Sequence, residues 1–229
     1  MRRKELYEKV FACFEREMPE AESELHFRNP YELLVAVMLS AQCTDKRVNL
    51  VTPALFERYP DPFALAEAEV AEIFGHIRSV SYPNSKSAHL SGMAKRLVAD
   101  FGGEVPHTLE ELTSLPGVGR KTANVVMAVA FNQARMAVDT HVFRVSARIG
   151  LTRGAKTPLE TEKQLVGYLA EDKLGQAHHW LLLHGRYVCT ARKPHCGQCF
   201  LTPYCAYYKR ETGREAIDMT SPSAVPNRL

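Results

Sequence analysis

Four of the six cysteines in this 229-residue chain fall within one short stretch, spaced Cys189-x6-Cys196-x2-Cys199-x5-Cys205. Thiols gathered this closely read as metal ligands before they read as disulfides. Zinc sites usually come as two tight Cys-x-x-Cys pairs or recruit histidine. Here one tight pair is flanked by a single ligand on each side, a spread that suits the separated iron corners of a cubane. Structural zinc is the alternative. Four thiolates around a core of roughly +2 leave about −2, which Arg186, Arg192, Lys193 and Lys209 would offset. Cys13 and Cys43, among apolar or small residues, read as core or near-core thiols.

A second constellation is Leu115-Pro116-Gly117-Val118-Gly119-Arg120-Lys121-Thr122-Ala123. Pro116-Gly117 and Gly119 force a tight turn, and glycine lets the backbone come close to a ligand. A helix starting at once aims its first N–H groups at the same spot, which makes an anion site suited to phosphate. Leu-Pro-Gly-Val-Gly between two helices is the signature of a helix-hairpin-helix, which grips a DNA backbone phosphate without reading sequence. Lys121 stands in the first turn. There the helix dipole and Arg120 both disfavour its ammonium form, and a neutral amine is a nucleophile. A phosphate-binding lysine is the equal alternative on chemistry alone.

Two further runs could act with the hairpin. In Val138-Asp139-Thr140-His141 the lone acid of a basic stretch precedes an apolar helix. Asp139 therefore reads first as an N-cap worth around 1 kcal/mol. A chain reversal after the Lys121 helix would also bring it back toward the lysine, where a carboxylate supports departure of a base. In Leu39-Ser40-Ala41-Gln42-Cys43-Thr44-Asp45 the polar run reads as a cap and turn. On a DNA-binding protein Gln42 could also enter the gap left by an extruded base.

The elements that must position these groups are helical. Apolar spacing predicts helices over residues 4–17, 33–39, 53–58, 63–74, 85–101, 120–130, 140–149, 159–169 and 176–187, with a short capped one at Thr108. No stretch demands a strand and no period repeats. No run of eighteen apolar residues suggests a membrane span, and the charged start, Met1-Arg2-Arg3-Lys4-Glu5, does not read as a signal peptide. Net charge is only +3, but its distribution is uneven. Residues 186–210 carry five basic groups and no acid, and residues 115–148 carry five against Asp139 alone. The compensating acids, Glu15, Glu17, Glu20, Glu22 and Glu24, lie near the start. Such asymmetry suits a polyanion. The expected class is all-α, a cytoplasmic, nucleoid-associated monomer.

Together these motifs resemble the endonuclease III family, the helix-hairpin-helix DNA glycosylases with an iron–sulfur cluster. Leu-Ser-Ala-Gln-Cys-Thr-Asp, Leu-Pro-Gly-Val-Gly-Arg-Lys-Thr-Ala-Asn, Val-Asp-Thr-His-Val, Leu-His-Gly-Arg-Tyr and the cysteine loop occur in family order, from the N-terminal helix to about Arg210. The resemblance implies a two-domain fold. Residues 23–133 would form a six-helix barrel, and residues 1–22 with 134–210 a domain holding a [4Fe-4S] cluster on the four cysteines. Residues 211–229 would be a disordered tail. DNA would lie across the groove between the domains. Lys121 falls on the family's nucleophile and Asp139 on its catalytic carboxylate. The adenine-mismatch relatives lack that lysine.

The implied activity is bifunctional: release of oxidised pyrimidines from duplex DNA, then cleavage 3′ to the abasic site by β-elimination through a Schiff base. A monofunctional glycosylase, or a noncatalytic DNA-binding module with a structural cluster, is the alternative. Expected DNA contacts are Gly117, Gly119, Arg120, Thr122 and His141, with Gln42 and Tyr82 at the extruded base. One segment departs from the family. Ser81-Tyr82-Pro83 stands where relatives carry Gly-Leu-Tyr or Gly-Phe-Tyr, placing Tyr82 at the apolar wedge position and a stiffening proline after it.

Overall fold

The computed structural model describes residues 1–213. It consists of α-helices and short 3₁₀ turns, with no strand among the described residues. The chain divides into two compact units. One is Ser23–Arg135; the other combines Met1–Glu22 with the described residues from Met136 to Gly213.

In the second unit the first helix, α1 (Arg3–Glu17), packs with chain far downstream. Its apolar stripe, Leu6, Tyr7, Val10, Phe11 and Phe14, is buried against Val142, Val145, Ile149, Trp180, Leu181 and Leu201. Phe14 stacks on Trp180 with ring centroids 6.0 Å apart. The Trp180 indole N–H donates to the Met18 carbonyl at 2.8 Å, and the Tyr7 hydroxyl donates to that of Leu151 at 3.1 Å. Burying a side chain such as Phe14 contributes roughly 1.5–3 kcal/mol. The N-terminal helix is thus part of the unit that carries the cysteines.

The Ser23–Arg135 unit is built on α2 (Pro30–Ser40), in which every residue from Tyr31 to Leu39 is buried. Apart from Glu32, which pairs with Arg28 at 2.6 Å, its faces are apolar, and such a helix belongs at a centre. Asn29 caps it, its side chain accepting from Glu32 N–H, with Pro30 at the first helical position. Then come α3 (Asp45–Arg58), α4 (Pro62–Glu67), α5 (Val70–Ile77), α6 (Pro83–Phe101), α7 (Leu109–Ser114) and α8 (Arg120–Phe131). The cysteine-bearing unit continues with α9 (Thr140–Ile149), α10 (Pro158–Val166), α11 (Leu174–Tyr187) and α12 (Ala206–Thr212).

Several boundaries differ from the sequence reading. The expected short helix at Pro53 is the second half of α3, which starts at Asp45 because the Thr44 hydroxyl accepts from Arg47 N–H. Pro53 lies inside that helix. The expected helix over residues 63–74 is two helices, broken where Ala68 and Glu69 turn extended. The helix expected to reach residue 169 ends at Val166, with Gly167 as its C-cap. The tail expected from residue 211 begins as helix: α12 runs through Glu211 and Thr212 and stops at left-handed Gly213. The rest of that segment lies outside the described residues.

Candidate functional site

The hairpin turn in the Ser23–Arg135 unit is sterically specified. Gly117 has φ +76°, and a Cβ there would lie 2.7 Å from the Cβ of His89. Only glycine enters that turn without moving His89. Gly119 is different: it is the N-cap of α8 at φ −93°, and a Cβ there meets nothing within 4 Å. It supplies no side-chain cap, and the first helical bond of α8 runs from Ala123 N–H to the Gly119 carbonyl at 3.0 Å. A twelve-residue helix thus opens on a glycine, with exposed Arg120 and half-buried Lys121 and Thr122 in its first turn. A helix opening this way leaves backbone N–H groups able to accept an anion, with Lys121 in the same turn.

In the other unit Asp139 is half-buried at the N-cap of α9. Its Oδ1 accepts from Val142 N–H at 2.8 Å. The cap occupies one carboxylate oxygen and leaves Oδ2 for other work. His141 follows on the first turn, its Nδ1 3.2 Å from the guanidinium of Arg144. Gly185 of α11 admits this packing, since a Cβ there would lie 2.8 Å from that of His141 and 2.9 Å from the Val145 methyl.

The four cysteines are free thiols lining one pocket. Its walls include Ile149, Val188, Leu201 and Tyr208. Among the described residues no three His, Cys, Asp or Glu side chains converge on a point to hold a single ion. The shared pocket, by contrast, fits thiolates placed at the corners of a larger core. Burial pushes the Cys199 thiol up to about 12 and raises Cys196 and Cys205 as well. A cationic core reverses that preference and takes the ligands as thiolates. Neutral His184 stands at the same wall. Burial pulls its imidazole down to about 4, and its Nε2 is 3.5 Å from the Cys199 sulfur.

Two arginines of α9 that sequence reasoning passed over hold the mouth of this loop. Arg148 donates to the carbonyls of Thr190 at 2.7 Å and Ala191 at 2.8 Å, and to the Cys189 sulfur at 3.4 Å. Arg144 donates to the carbonyls of Gly185 at 2.8 Å and Cys189 at 3.2 Å. Their four-residue spacing on one helix face was the available signal. Of the basic residues expected to offset the cluster, Arg192, Lys193 and Lys209 are exposed, whereas Arg148 reaches a ligand sulfur.

The comparisons with known proteins agree with this arrangement. Residues 35–171 match the HhH-GPD superfamily of base excision DNA repair proteins, and residues 189–205 match the iron–sulfur binding domain of endonuclease III. The endonuclease III of Rickettsia felis is 47% identical over 204 residues, spanning 89% of this chain and 95% of its own length. That of Escherichia coli is 43% identical over 192 residues, spanning 84% and 90%. The chain belongs to the endonuclease III family. A solved structure of a trapped endonuclease III–DNA covalent intermediate superposes with a TM-score of 0.88 at 41% identity, covering 92% of this chain and 99% of that one.

The chain is therefore a base-excision-repair DNA glycosylase and abasic-site lyase. Its cofactor is a [4Fe-4S] cluster, and Cys189, Cys196, Cys199 and Cys205 are the donors the pocket offers it. No helix among the described residues is long and apolar enough to cross a membrane.

At Ser81-Tyr82-Pro83 the backbone is unusual. Among the described residues the left-handed non-glycine positions are Gln42 at φ 54°, Tyr82 at φ 56° and Asn132 at φ 49°. Asn132 is a C-cap of α8, where that conformation is ordinary. Gln42 and Tyr82 are the two expected wedge residues, and each holds strain of roughly 1–3 kcal/mol. Tyr82 is also left-handed immediately before Pro83, a position that ordinarily drives a residue extended. Its side chain is 63% exposed and does not pack in the core. Gln42 is exposed as well.

Proposed function

We propose that this enzyme removes oxidised pyrimidines from duplex DNA by attack of the Lys121 amine, with Asp139 as the catalytic carboxylate. The supporting observation is the placement of Lys121 in the first turn of α8, beside a glycine-capped anion site. A phosphate held at that turn would register the amine on the sugar of the adjoining nucleotide. That nucleotide must first leave the stack, at a cost of a few kcal/mol. The relative trapped as a covalent intermediate with DNA is consistent with a nucleophile of this kind.

In this reading neutral Lys121 Nζ bonds to the anomeric carbon as the glycosidic C–N bond breaks. The electron pair leaves with the base, which takes up a proton. Oδ2 of Asp139 accepts the proton lost by the amine and faces the positive charge on the sugar, while Oδ1 keeps the cap. The ring oxygen then takes the proton held by Asp139, and the sugar ring opens to a protonated Schiff base. Loss of a C2′ proton then expels the 3′ phosphate by β-elimination, and water frees the lysine. Gly117, Gly119, Arg120 and Thr122 would grip the backbone, with His141 a further contact. Gln42 and Tyr82 would occupy the space left by the extruded nucleotide. The working form would be a monomer acting on nucleoid DNA.

Borohydride trapping on a duplex with one abasic site tests the assignment. Wild type should give a covalent protein–DNA adduct. Lys121→Gln should bind the duplex but neither trap nor nick it, and should release no thymine glycol. An adduct, or thymine-glycol release, near the wild-type level in Lys121→Gln would overturn the reading.

A further inference from the structure

Lys86 is a buried cation that neither the amine chemistry nor the phosphate grip employs. It lies in the first turn of α6 and is 8% exposed. Its Nζ donates to the carbonyl of Leu39 at 2.8 Å and to that of Ala41 at 2.7 Å. Those carbonyls end α2, where a helix leaves acceptors unsatisfied and its dipole favours a cation. Ala41 is followed at once by Gln42, the first strained residue. The backbone of Lys86 meets the second: its N–H donates to the carbonyl of Tyr82 at 3.1 Å. One residue therefore bonds on both sides of a pair of loops whose tips are left-handed and whose side chains are exposed.

Strained backbone persists only where its surroundings over-determine it. At Gln42 the local restraint is a turn bond from Cys43 N–H to the Ser40 carbonyl at 3.0 Å. At Tyr82 it is Pro83 and the start of α6. Lys86 is the link between the two. Burial lowers the pKa of its ammonium, which makes the two charge-assisted bonds to carbonyls its compensation.

We infer that Lys86 is a positioning residue that holds Gln42 and Tyr82 at a fixed spacing in their left-handed conformations, so that the two side chains enter damaged DNA as one unit. The inference rests on the reading that these two side chains meet DNA. A lysine that only caps α2 would stabilise the fold without coupling to either of them.

The experiment is a mutant cycle read by affinity for a duplex carrying a tetrahydrofuran abasic analogue, with melting temperature as a control. Gln42→Ala/Tyr82→Ala should weaken binding roughly ten- to a hundredfold. Lys86→Met should weaken it by a similar factor, Lys86→Arg should restore part of that loss, and Lys86→Met added to Gln42→Ala/Tyr82→Ala should cost less than about threefold more. Wild-type affinity in folded Lys86→Met, or a full multiplicative loss in the triple variant, would reduce Lys86 to a structural cap. Wild-type affinity in Gln42→Ala/Tyr82→Ala would remove the wedge reading, and the proposal with it.

Amide hydrogen exchange in the wild-type protein provides a second measurement, independent of any variant's folding. If Lys86 joins the loops, the amides of Cys43 and Lys86 should be protected to within about threefold of each other, because they open together. Protection factors more than tenfold apart would mean that the loops open separately, and would overturn the proposal.

Discussion

The hairpin turn and the cysteine loop are held in opposite ways. Leu115–Gly119 is built from its own backbone: a left-handed glycine, a turn bond from Val118 N–H to the Leu115 carbonyl, and a helix starting at once. The cysteine loop has a 3₁₀ turn at Cys196–Gln198 and further turn bonds, such as Tyr204 N–H to the Leu201 carbonyl, but it is also tied to distant chain. Arginines more than forty residues earlier hold its mouth, and its centre is the pocket that the four cysteines line. A site that binds a phosphate can be preformed by local geometry. A site that binds a metal core draws its stability from the core.

The largest effect expected from this contrast is that of Cys199→Ser. Losing one ligand should release the loop, with iron and acid-labile sulfide falling toward zero and the protein becoming insoluble or weak in DNA binding. Stoichiometric zinc without iron in anaerobically purified wild type would break the contrast at its root.

Gly117→Ala should be next, at about 2–4 kcal/mol in denaturant unfolding, combining left-handed strain with the clash on His89. Adding His89→Ala should recover only the ring's share of the clash and none of the strain, because alanine keeps the Cβ that lies 2.7 Å away. Gly119→Ala, which meets open space, should cost under about 1 kcal/mol yet weaken DNA binding, separating a glycine the fold needs from one the ligand needs.

Arg148→Met should cost about 0.5–1.5 kcal/mol, the net worth of bonds to the Thr190 and Ala191 carbonyls that water can partly replace. It should also speed oxidative loss of the cluster, followed by visible absorbance; an unchanged loss rate would show that the loop needs no clamp from α9.

Asp139→Asn should have the smallest effect on stability, near zero, because asparagine caps a helix as well as aspartate. Its strand cleavage should still fall by at least about a hundredfold. Asp139→Ala should lose both the cap, around 1 kcal/mol, and the activity. Full activity in Asp139→Asn would reduce this residue to a cap.

Much of the chemistry was legible in residue order. The cysteine spacing, the Leu-Pro-Gly-Val-Gly turn and Val-Asp-Thr-His carry their meaning in short windows, because turn, cap and ligand preferences act over a few residues. The helix stops at Gly102, Gly150 and Asn132 are local in the same sense. The misread segments also had a local cause. Pro53 looks like a helix start and is tolerated inside α3, and the extended break at Ala68-Glu69 sits in a run of good helix formers.

Tertiary structure decided the rest. Nothing in the spacing of Lys86 shows that its ammonium ends on carbonyls 47 and 45 residues earlier, or that Arg148 reaches a loop 42 residues later. The packing of the first helix with Trp180 is longer-range still. Left-handed Gln42 and Tyr82 run against the preference of both residue types, and only the packed surroundings can impose them. Sequence determined which groups could do the chemistry, since that depends on side-chain type and near neighbours. Long-range packing determined which of them are held under strain, because contacts between distant segments leave no periodic trace in the chain.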